Sequence, residues 1–396
     1  MFIDLVSSPA SNSFLLYSQL NEPEVFYPLK VFACHKCFLV QLDEYKKFES
    51  IFDNQYAYFS SYSKSWLQHA KRYVESMTER FEYNELSQVI EIASNDGYLL
   101  QYFLGIKIPV LGIEPTANTA EAAIKKGINT VVDFFGTRLA NQLTSKNIKA
   151  DLLLGNNVLA HVPDIIDFVG GMKIILKDTG VITMEFPHLM QLVANNQFDT
   201  IYHEHFSYLS FHTVKKIFES QGLEMFDVDE IQTHGGSLRI YAKHKEDDSK
   251  LISPNVAALL KKETDEGMAT IGYYNNFQQK ALKVKYDFLA FLIEEKKSGK
   301  KIAAYGAAAK GNTLLNYCGI KNDLIDFVVD ASPHKQNKFM PASHIPIVKE
   351  EILRETKPDY IIILPWNLSD EITVQLSYIK DWGGRFVVPI PDLKLL

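Results

Sequence analysis

The sequence predicts an α/β protein built around a doubly wound parallel sheet, with smaller regions before and after it. Two observations support this fold class. Between residues 89 and 187, short apolar runs alternate with helical patterns, which is typical of consecutive βαβ units. A second alternation of the same kind begins at Lys301 and continues to Pro389. The length of 396 residues allows two or three domains of ordinary size.

The composition is that of an ordinary soluble globular protein. Hydrophobic residues make up 46% and charged residues 22% of the chain, and the formal net charge is −7. No Lys/Arg-rich tract is present, so nucleic acid is not expected as a partner. No apolar run approaches the roughly 20 residues that a membrane helix needs, so no membrane association is expected.

The N-terminus and the cysteine content predict the cellular compartment. The first residues, MFIDLVSSPA, lack the basic region and the long apolar region of a signal peptide. Three cysteines cannot build a disulfide framework. We therefore expect a cytoplasmic protein, and the sequence is consistent with a monomer or a small homo-oligomer.

A nucleotide site is predicted between residues 89 and 115. An apolar run that carries Glu91 leads into the polar turn from Ser94 to Gly97 and a short helix, and a second apolar run ends at Glu114. Gly97 would let the backbone approach a ligand, and Glu114 could accept hydrogen bonds from both ribose hydroxyls. The glycine spacing does not match G-x-G-x-x-G, and the acidic positions fit S-adenosylmethionine (SAM) better. The alternative is an ordinary strand–turn–helix unit.

Polar residues also follow the next strands of the predicted sheet. Asn156, Asn157 and His161 come after the buried run that begins at Asp151, and Glu185 lies at the end of the following strand. Ligands of doubly wound sheets bind beyond the carboxyl ends of the strands, so these side chains are expected to meet there. The predicted cofactor-binding residues are Glu91, Ser94, Asn95, Gly97, Glu114, Asn156 and Asn157.

The segment TIYHEHFSYLS, residues 200–210, concentrates titratable side chains. H-E-H lacks the i, i+4 spacing of a helical zinc site, which argues against a metal here. A histidine beside a glutamate, such as His205 after Glu204, suits general acid–base chemistry near neutral pH. The alternative is a polar loop whose histidines bind backbone carbonyls.

Three further features have open interpretations. Cys34 and Cys37 form a C-x-x-C between two short predicted strands, which is half of a zinc ribbon, but a remnant knuckle, a packed thiol pair or a redox pair fits the same pattern. The aromatic cluster around Tyr56 either covers an apolar face or folds over the SAM site as a lid. The pair Gly235-Gly236 predicts a close backbone approach or a bulge before a strand.

A second nucleotide-type unit is predicted in the last hundred residues. A long helix over residues 255–297 would connect it to the first unit. A strand from Lys301 then reaches Gly306, a helix carries Lys310, and the next strand ends in Asp330. This loose spacing argues only weakly for NAD, and a pseudo-repeat of the first half explains it equally well.

The collected motifs resemble those of the sugar C-methyltransferases of deoxysugar biosynthesis, which act on nucleotide-linked 4-keto hexoses. The similarity covers nearly the whole chain and rests on the blocks SPASNSF, EVFYPLKVFACHKCFLVQL, YAYFSSYSKSW, IEIASNDGYLL, GIEPTANTA, NNVLAHVPD, FDTIYHEHFSYLS, THGGSLRIY, YGAAAKGNTLLNY and LPWN. It implies a small zinc-ribbon-like module at residues 1–65. A SAM-dependent methyltransferase domain with the doubly wound sheet would follow at 66–245, and a C-terminal Rossmann-like domain at 246–396. The nucleotide-linked 4-keto-6-deoxysugar would lie between the last two.

The resemblance also implies roles for single residues. His205 matches the family's general base, and Glu204 is expected to line the sugar site and to orient the imidazole. Other positions match its active-site and substrate-binding residues. Those implied for catalysis are Tyr202, His161 and Tyr56, and those implied for the sugar nucleotide are Lys310 and Asn312.

Zinc remains an open expectation. The family's module usually carries four cysteines, the first pair in a C-x-x-C upstream of the segment with which this chain begins. Only Cys34 and Cys37 match. Either the chain is N-terminally short or the zinc site is lost.

The implied reaction is C-methylation of the sugar through an enolate, at C3 in the family's commonest case. C5 also adjoins the ketone and is an alternative. A different class of function is a non-catalytic binder of SAM or a nucleotide. A second enzyme class is an NAD-dependent sugar oxidoreductase, against which the missing G-x-G-x-x-G argues.

Overall fold

The computed structural model of this protein describes residues 1–45, 47 and 59–396. We use the predicted boundaries as names: N-terminal module for 1–65, central domain for 66–245 and C-terminal domain for 246–396. The module contributes three strands to a four-stranded antiparallel sheet in the order β1-β2-β3-β9, and the fourth strand, β9, comes from the central domain. The strands of this sheet are β1 (Ile3–Ser8), β2 (Tyr27–Ala33), β3 (Val40–Leu42) and β9 (Ser207–Tyr208).

The central domain contains a seven-stranded sheet in the order β10-β11-β8-β7-β4-β5-β6. Its strands are β4 (Val89–Ile92), β5 (Val110–Ile113), β6 (Thr130–Val131), β7 (Ala150–Asn156), β8 (Leu176–Pro187), β10 (Leu223–Ile231) and β11 (Ser237–His244). Strands β4 to β8 pair in parallel, whereas β11 pairs antiparallel with both β8 and β10. The first parallel strand lies in the middle, so the chain winds outward in both directions and the site lies at the carboxyl ends.

Helices cover both faces of this sheet. They are α1 (Lys64–Phe81), α2 (Leu100–Gly105), α3 (Ala117–Lys125), α4 (Thr137–Thr144), α5 (Ile165–Ile175), α6 (Leu189–Ala194) and α7 (Phe211–Ser220). Helix α1 begins where Ser63 accepts a hydrogen bond from the Trp66 amide, which satisfies a free amide of the first turn. Its buried residues, Trp66, Ala70, Tyr73, Val74 and Met77, lie on one face of the helix.

The C-terminal domain has a six-stranded sheet in the order β14-β13-β12-β15-β16-β17, parallel except for β17. Its strands are β12 (Ile302–Tyr305), β13 (Val328–Val329), β14 (Ile347–Val348), β15 (Tyr360–Ile363), β16 (Arg385–Val388) and β17 (Lys394–Leu395). Its helices are α8 (Pro254–Asp265), α9 (Phe277–Lys297), α10 (Ala309–Cys318), α11 (Glu351–Thr356) and α12 (Ser369–Gln375).

The single helix predicted over residues 255–297 is wrong. Helix α8 ends before Gly267, which has a φ of 88°, and a short 3₁₀ turn at Ile271–Tyr274 precedes α9. The Tyr274 ring is buried and its hydroxyl donates to the Met268 carbonyl, at 2.8 Å. Burial of this tyrosine turns the chain where the charge pattern alone predicted a continuous helix.

The N-terminal module and the C-terminal domain share one apolar core. Phe2 stacks on Phe277 with ring centroids 4.8 Å apart, and Leu5, Val31 and Leu314 belong to the same buried cluster. Separate clusters lie on the two faces of the central sheet. The module is therefore fixed against the C-terminal domain. In the part of the chain that the structure describes, no helix is long and apolar enough to cross a bilayer.

Candidate active site

A cavity of about 1170 Å³ opens at the carboxyl ends of the central strands and extends to the C-terminal domain. It borders the ends of β4 to β8, where Asn95, Glu114, Asp133, Asn156 and Pro187 contribute to its wall. Pockets for one small ligand usually measure roughly 300–1,000 Å³. The cavity is therefore large enough for two ligands side by side.

Glu114 connects the first two strand ends. Its carboxylate accepts hydrogen bonds from the backbone amides of Asn95, at 2.8 Å, and Thr116, at 2.9 Å. Burial raises the pKa of this carboxyl, and hydrogen bonds from Thr116 oppose the shift. The Thr116 hydroxyl donates as well, and a hydrogen bond from the Thr119 side chain also stabilises the charged form of the carboxyl. The carboxylate is therefore largely hydrogen-bonded within the protein, and its contact with two ribose hydroxyls stays a prediction.

The structure separates the predicted cofactor residues into two groups. Asn95, Glu114, Asn156 and Asn157 border the cavity. Glu91, Ser94 and Gly97 are buried behind it and do not contribute to its wall.

The role predicted for Gly97 is corrected. Its φ of 75° favours glycine, and a Cβ there would collide with Ile128 Cδ1 and approach Ala123. The glycine therefore admits the packing of helix α3 and the segment after it, and it does not border the cavity. Ser94 packs in the same way against Gly112 of β5.

Asn156 and Asn157 offer polar groups to a cofactor. Neither amide atom of Asn156 finds a hydrogen-bond partner within the described residues. Asn157 Nδ2 lies 2.8 Å from His234 Nε2, and its Oδ1 has no partner in the same part of the chain. Partly buried amide groups without partners are costly, so these atoms fit contacts to a bound molecule such as SAM.

Sequence reasoning missed several residues of the wall. Asp133 and Phe134 follow β6, and Trp66 lies on α1 with His69 stacked on it at 4.9 Å. Asp133 could have been predicted, because it closely follows the end of a parallel strand, where ligands of doubly wound sheets bind. No local pattern indicated that Trp66 lines a site.

The histidine ring of His205 borders the cavity from the loop of residues 198–206, which we call the base loop. Its Nδ1 donates to the Thr200 carbonyl at 2.9 Å, so the neutral ring carries its lone pair on Nε2. Tyr202 and His161 lie beside it, with ring centroids 4.1 and 4.6 Å away. Burial lowers the pKa of His205 well below its ordinary value, and the positive charge of His161 would lower it further.

Glu204 does not have the position that was predicted for orienting His205. Its Oε1 accepts from Asn12 Nδ2 of the N-terminal module at 2.6 Å, and the Thr200 carbonyl supplies the orienting hydrogen bond instead. Burial lowers the pKa of His161 to about 4, although a hydrogen bond with the Glu204 backbone opposes the shift. Glu204 therefore connects the H-E-H segment to Asn12 of the N-terminal module and to His161 of the central domain.

The alternative interpretation, in which histidines of this segment bind backbone carbonyls, describes His203 and also the Nδ1 contact of His205 with Thr200. His203 Nε2 donates to the Pro28 carbonyl at 3.1 Å, and the ring packs against Tyr27. His203 does not border the cavity. His203 thus ties the base loop to the N-terminal module, whereas His205 is positioned for chemistry.

The two predicted sugar-nucleotide residues differ in position. Lys310 borders the cavity and donates to Asn367 Oδ1 at 2.7 Å. Asn312 is buried inside α10, where its Oδ1 accepts from Asn316 Nδ2 at 3.0 Å. The structure therefore brings only Lys310 to the site.

Tyr56 lies outside the described residues. The turn at Ser60–Tyr62 contacts the polar turn from Ser94 to Gly97. The Ser60 amide donates to Asn95 Oδ1 at 2.9 Å, and the Ser61 hydroxyl donates to the Asp96 carboxylate. Ser60 and Ser63 also border the cavity. The lid interpretation of Tyr56 stays a prediction.

The cysteine pair does not provide a complete zinc site. Within the described ranges, no group of three His, Cys, Asp or Glu side chains is close enough to hold a metal ion, and Cys34 and Cys37 are free thiols. The loop that contains the two cysteines is held by a hydrogen bond and a ring contact. The Thr213 hydroxyl donates to the Cys37 carbonyl at 3.2 Å, and Phe38 stacks on Tyr274.

Three family models match consecutive parts of the chain. They are described as "Putative zinc binding domain" for residues 1–52, "Methyltransferase domain" for 66–228 and "C-methyltransferase C-terminal domain" for 232–391. The C-methyltransferase NovU from Streptomyces niveus is 34% identical over 373 residues, which cover 94% of this chain and 88% of that relative.

Solved methyltransferase structures resemble parts of the chain more distantly. A SAM-dependent methyltransferase from Anabaena variabilis is 18% identical, has a TM-score of 0.37 and covers 44% of this chain and 85% of its own. Magnesium protoporphyrin IX methyltransferase from Synechocystis with bound SAM is 13% identical, has a TM-score of 0.34 and covers 44% and 78%.

The central sheet and the methyltransferase family model define a SAM-dependent methyltransferase and confirm the predicted fold class. The chain belongs to the sugar C-methyltransferase family predicted from its sequence blocks, as the match to its C-terminal domain model and to NovU shows. It is a SAM-dependent C-methyltransferase.

Proposed function

We propose that this enzyme methylates a carbon next to the ketone of a nucleotide-linked 4-keto-6-deoxysugar, at C3. The observation that carries the proposal is the geometry of His205, whose Nδ1 is tied to Thr200 while the ring borders a cavity large enough for two ligands. A base with its lone pair on Nε2 suits removal of an acidic C–H proton beside a carbonyl. C5 adjoins the same ketone and is the alternative position.

The reaction requires two steps in the same cavity. His205 Nε2 takes the proton from the sugar carbon, and the C–H electron pair forms the double bond of an enolate as the carbonyl electrons move to oxygen. When bound, SAM supplies an electrophilic methyl group on a positively charged sulfur, which leaves as a neutral thioether. The enolate carbon forms the new C–C bond, the ketone re-forms and His205 returns its proton to solvent.

The neighbours of His205 support this chemistry. Burial lowers the pKa of His161 to about 4 and that of His205 well below its ordinary value, so both rings are neutral at pH 7. The single N–H of a neutral His161 is held by the Glu204 backbone carbonyl, so the Tyr202 hydroxyl is the neighbour that could donate a hydrogen bond to an oxygen that gains negative charge. The protein's further contribution is to hold the two reacting carbons about 3–3.5 Å apart.

The test is mass spectrometry of the protein with a dTDP-4-keto-6-deoxysugar in D₂O, with and without SAM. With SAM, we expect a product heavier by one methyl group. Without SAM, we expect deuterium to enter the substrate at the carbon that is methylated, and its position separates C3 from C5. If neither occurs with a panel of nucleotide sugars, the protein is a binder and the proposal is wrong.

A matched pair of variants tests the base. His205→Asn keeps a donor for the Thr200 carbonyl but removes Nε2, so exchange and methylation should fall by about 10²–10⁴-fold. His203→Gln removes the other imidazole of the segment and keeps a donor for Pro28, so it should retain turnover. Turnover near the wild-type rate in His205→Asn, with intact SAM binding, would exclude His205 as the base.

A further inference from the structure

The positively charged side chains around the cavity are not equivalent. Arg138 pairs with Asp133 at 2.6 Å, Arg239 with Glu185 at 2.6 Å and Lys335 with Asp330 at 3.6 Å. Arg72 is exposed on the outer side of α1, at the edge of the cavity. Lys310 forms no ion pair within 4.0 Å among the described residues.

The contacts of Lys310 solvate its ammonium group without neutralising it. Nζ donates to Asn367 Oδ1 at 2.7 Å and lies 4.6 Å from the centroid of the Trp366 ring. An amide oxygen and an aromatic face are both favourable for a cation, but neither carries a negative charge. Among the described residues that border the cavity, Lys310 is therefore a partly buried cation without an ion pair.

The same residues attach this lysine to the base loop. Trp366 Nε1 donates to Asp199 Oδ2 at 2.8 Å, and Thr313, one turn after Lys310 on α10, donates to the Ile201 carbonyl at 3.0 Å. Asp199 and Ile201 flank Thr200, which orients His205. The C-terminal domain thus fixes its lysine relative to the base by two hydrogen bonds.

Gly235 explains why the indole can reach this position. Its φ is 87°, and a Cβ there would collide with the Trp366 ring and approach Gln197. The close backbone approach predicted for the Gly235-Gly236 pair is therefore made by a side chain of the other domain. This packing leaves little freedom in where the Lys310 ammonium lies.

Burial lowers the pKa of Lys310, and the charge of Asp199 opposes this shift. Burial raises the pKa of Asp199 to about 7, and the charge of Lys310 opposes that shift. Asp199 is therefore only partly ionised at neutral pH. Burial lowers the pKa of His205, and the charges of His161, His234 and Lys310 act in the same direction.

We propose that the Lys310 ammonium contacts the ketone oxygen of the substrate and stabilises the negative charge that this oxygen gains in the enolate. The inference rests on the proposed function. The proton moves from the sugar carbon to His205 Nε2, the electron pair reaches the oxygen, and Lys310 keeps its own proton throughout. An ammonium group attracts an enolate oxygen more strongly than a neutral ketone, so this contact accelerates proton removal more than it tightens binding.

A diphosphate group of the sugar nucleotide would attract the same ammonium. Measuring both the exchange rate and dTDP binding separates a contact with the ketone oxygen from a contact with the diphosphate. In Lys310→Met, we expect deuterium exchange without SAM to fall by about 10²–10³-fold at saturating sugar nucleotide. Binding of dTDP alone, measured by calorimetry, should change little. The acid limb of the exchange rate should move to higher pH, because removal of a positive charge raises the pKa of His205.

Two further variants serve as controls. Lys335→Met removes another lysine from the same wall, but one that Asp330 already neutralises, so the exchange rate should fall by less than about tenfold. Lys310→Arg keeps the charge and should restore part of the exchange rate if Lys310→Met folds poorly.

Three outcomes would overturn the inference. They are wild-type exchange in Lys310→Met, an equal loss in Lys335→Met, and a loss of dTDP affinity that accounts for the whole effect. The last would assign Lys310 to the diphosphate. Failure of the wild-type enzyme itself to exchange deuterium would instead overturn the proposed function.

Discussion

The two nucleotide-type sheets of this chain contain the same local arrangement. In the central domain, Glu114 follows the second strand and accepts from the backbone amides of Asn95, at 2.8 Å, and Thr116, at 2.9 Å. In the C-terminal domain, Asp330 follows β13 and accepts from Ala307 and Ser332, each at 2.8 Å. In both units, the carboxylate accepts from one amide in the turn after the first strand and from one amide in the turn that follows the acid itself. This geometry favours the pseudo-repeat over the NAD interpretation.

The two arrangements differ in what covers the acid. Glu114 borders the cavity. Asp330 is buried beside Lys335, and Pro365 fills the space over Gly306. We therefore propose that the first unit holds the ligand. The second unit would then serve as a scaffold that places Lys310 at the wall of the cavity.

The largest expected effect comes from removing the two acids. Glu114→Ala should lower SAM affinity about 10–100-fold, because a hydrogen bond to a charged group is lost and two backbone amides lose their acceptor. Asp330→Ala should destabilise folding by a few kcal/mol through the same loss of acceptors and leave SAM affinity unchanged. Calorimetric titration and thermal melting measure both. An equal loss of SAM affinity in the two variants would contradict the division of roles.

The second test compares the glycines of the two turns. Gly97 and Gly306 both have positive φ, 75° and 91°, so alanine is strained at either position. At Gly97 the collision is with the flexible end of Ile128, whereas at Gly306 it is with the rigid ring of Pro365, 2.5 Å from the added Cβ. We expect a loss of about 1–2 kcal/mol for Gly97→Ala and about 2–3 kcal/mol for Gly306→Ala, measured by denaturant unfolding. The reverse order would show that Ile128 cannot move.

The smallest effect is on the pH dependence of stability. Burial lowers the pKa of His234 and of His161 to about 4, whereas the unfolded chain has the ordinary value near 6.5. Between these values the unfolded state binds more protons, so stability falls as pH decreases from 6.5 towards 4. At pH 5.5 each histidine should cost about 1 kcal/mol, or a few degrees in Tm.

A variant isolates this contribution. His234→Gln removes one titrating group and can keep a polar contact with Asn157. Its Tm should therefore decline less steeply than that of the wild type between pH 7 and pH 5. An unchanged slope would mean that other groups cause the decline.

Parts of the site were predictable because their signals are local. The H-E-H segment and the strand-end residues Asn95, Glu114 and Asn156 could be located from apolar runs followed by polar turns. Gly97 could be recognised as a special backbone position, but its neighbour Ile128 is distant in sequence. For this reason the ligand-contact role assigned to it was wrong, and packing is the actual cause.

Other features required the tertiary structure because they depend on contacts between regions. The partner of Glu204 is Asn12, 192 residues earlier, and the partner of Asp199 is Trp366, 167 residues later. The orienting acceptor for His205 is a backbone carbonyl, which carries no sequence signal at all. The break between α8 and α9 similarly follows from burial of Tyr274 rather than from local propensity.

The sequence by itself determined the α/β class, the order of strands and helices, the family and the residues that meet at the carboxyl ends of the sheet. These follow from hydrophobic periodicity and from the fixed geometry of parallel strands. Only the tertiary structure decided which polar residues face the cavity, which carbonyl fixes the tautomer of His205, and that Lys310 lacks a counter-ion. Those properties depend on burial and on distances between residues far apart in the chain, which local pattern does not encode.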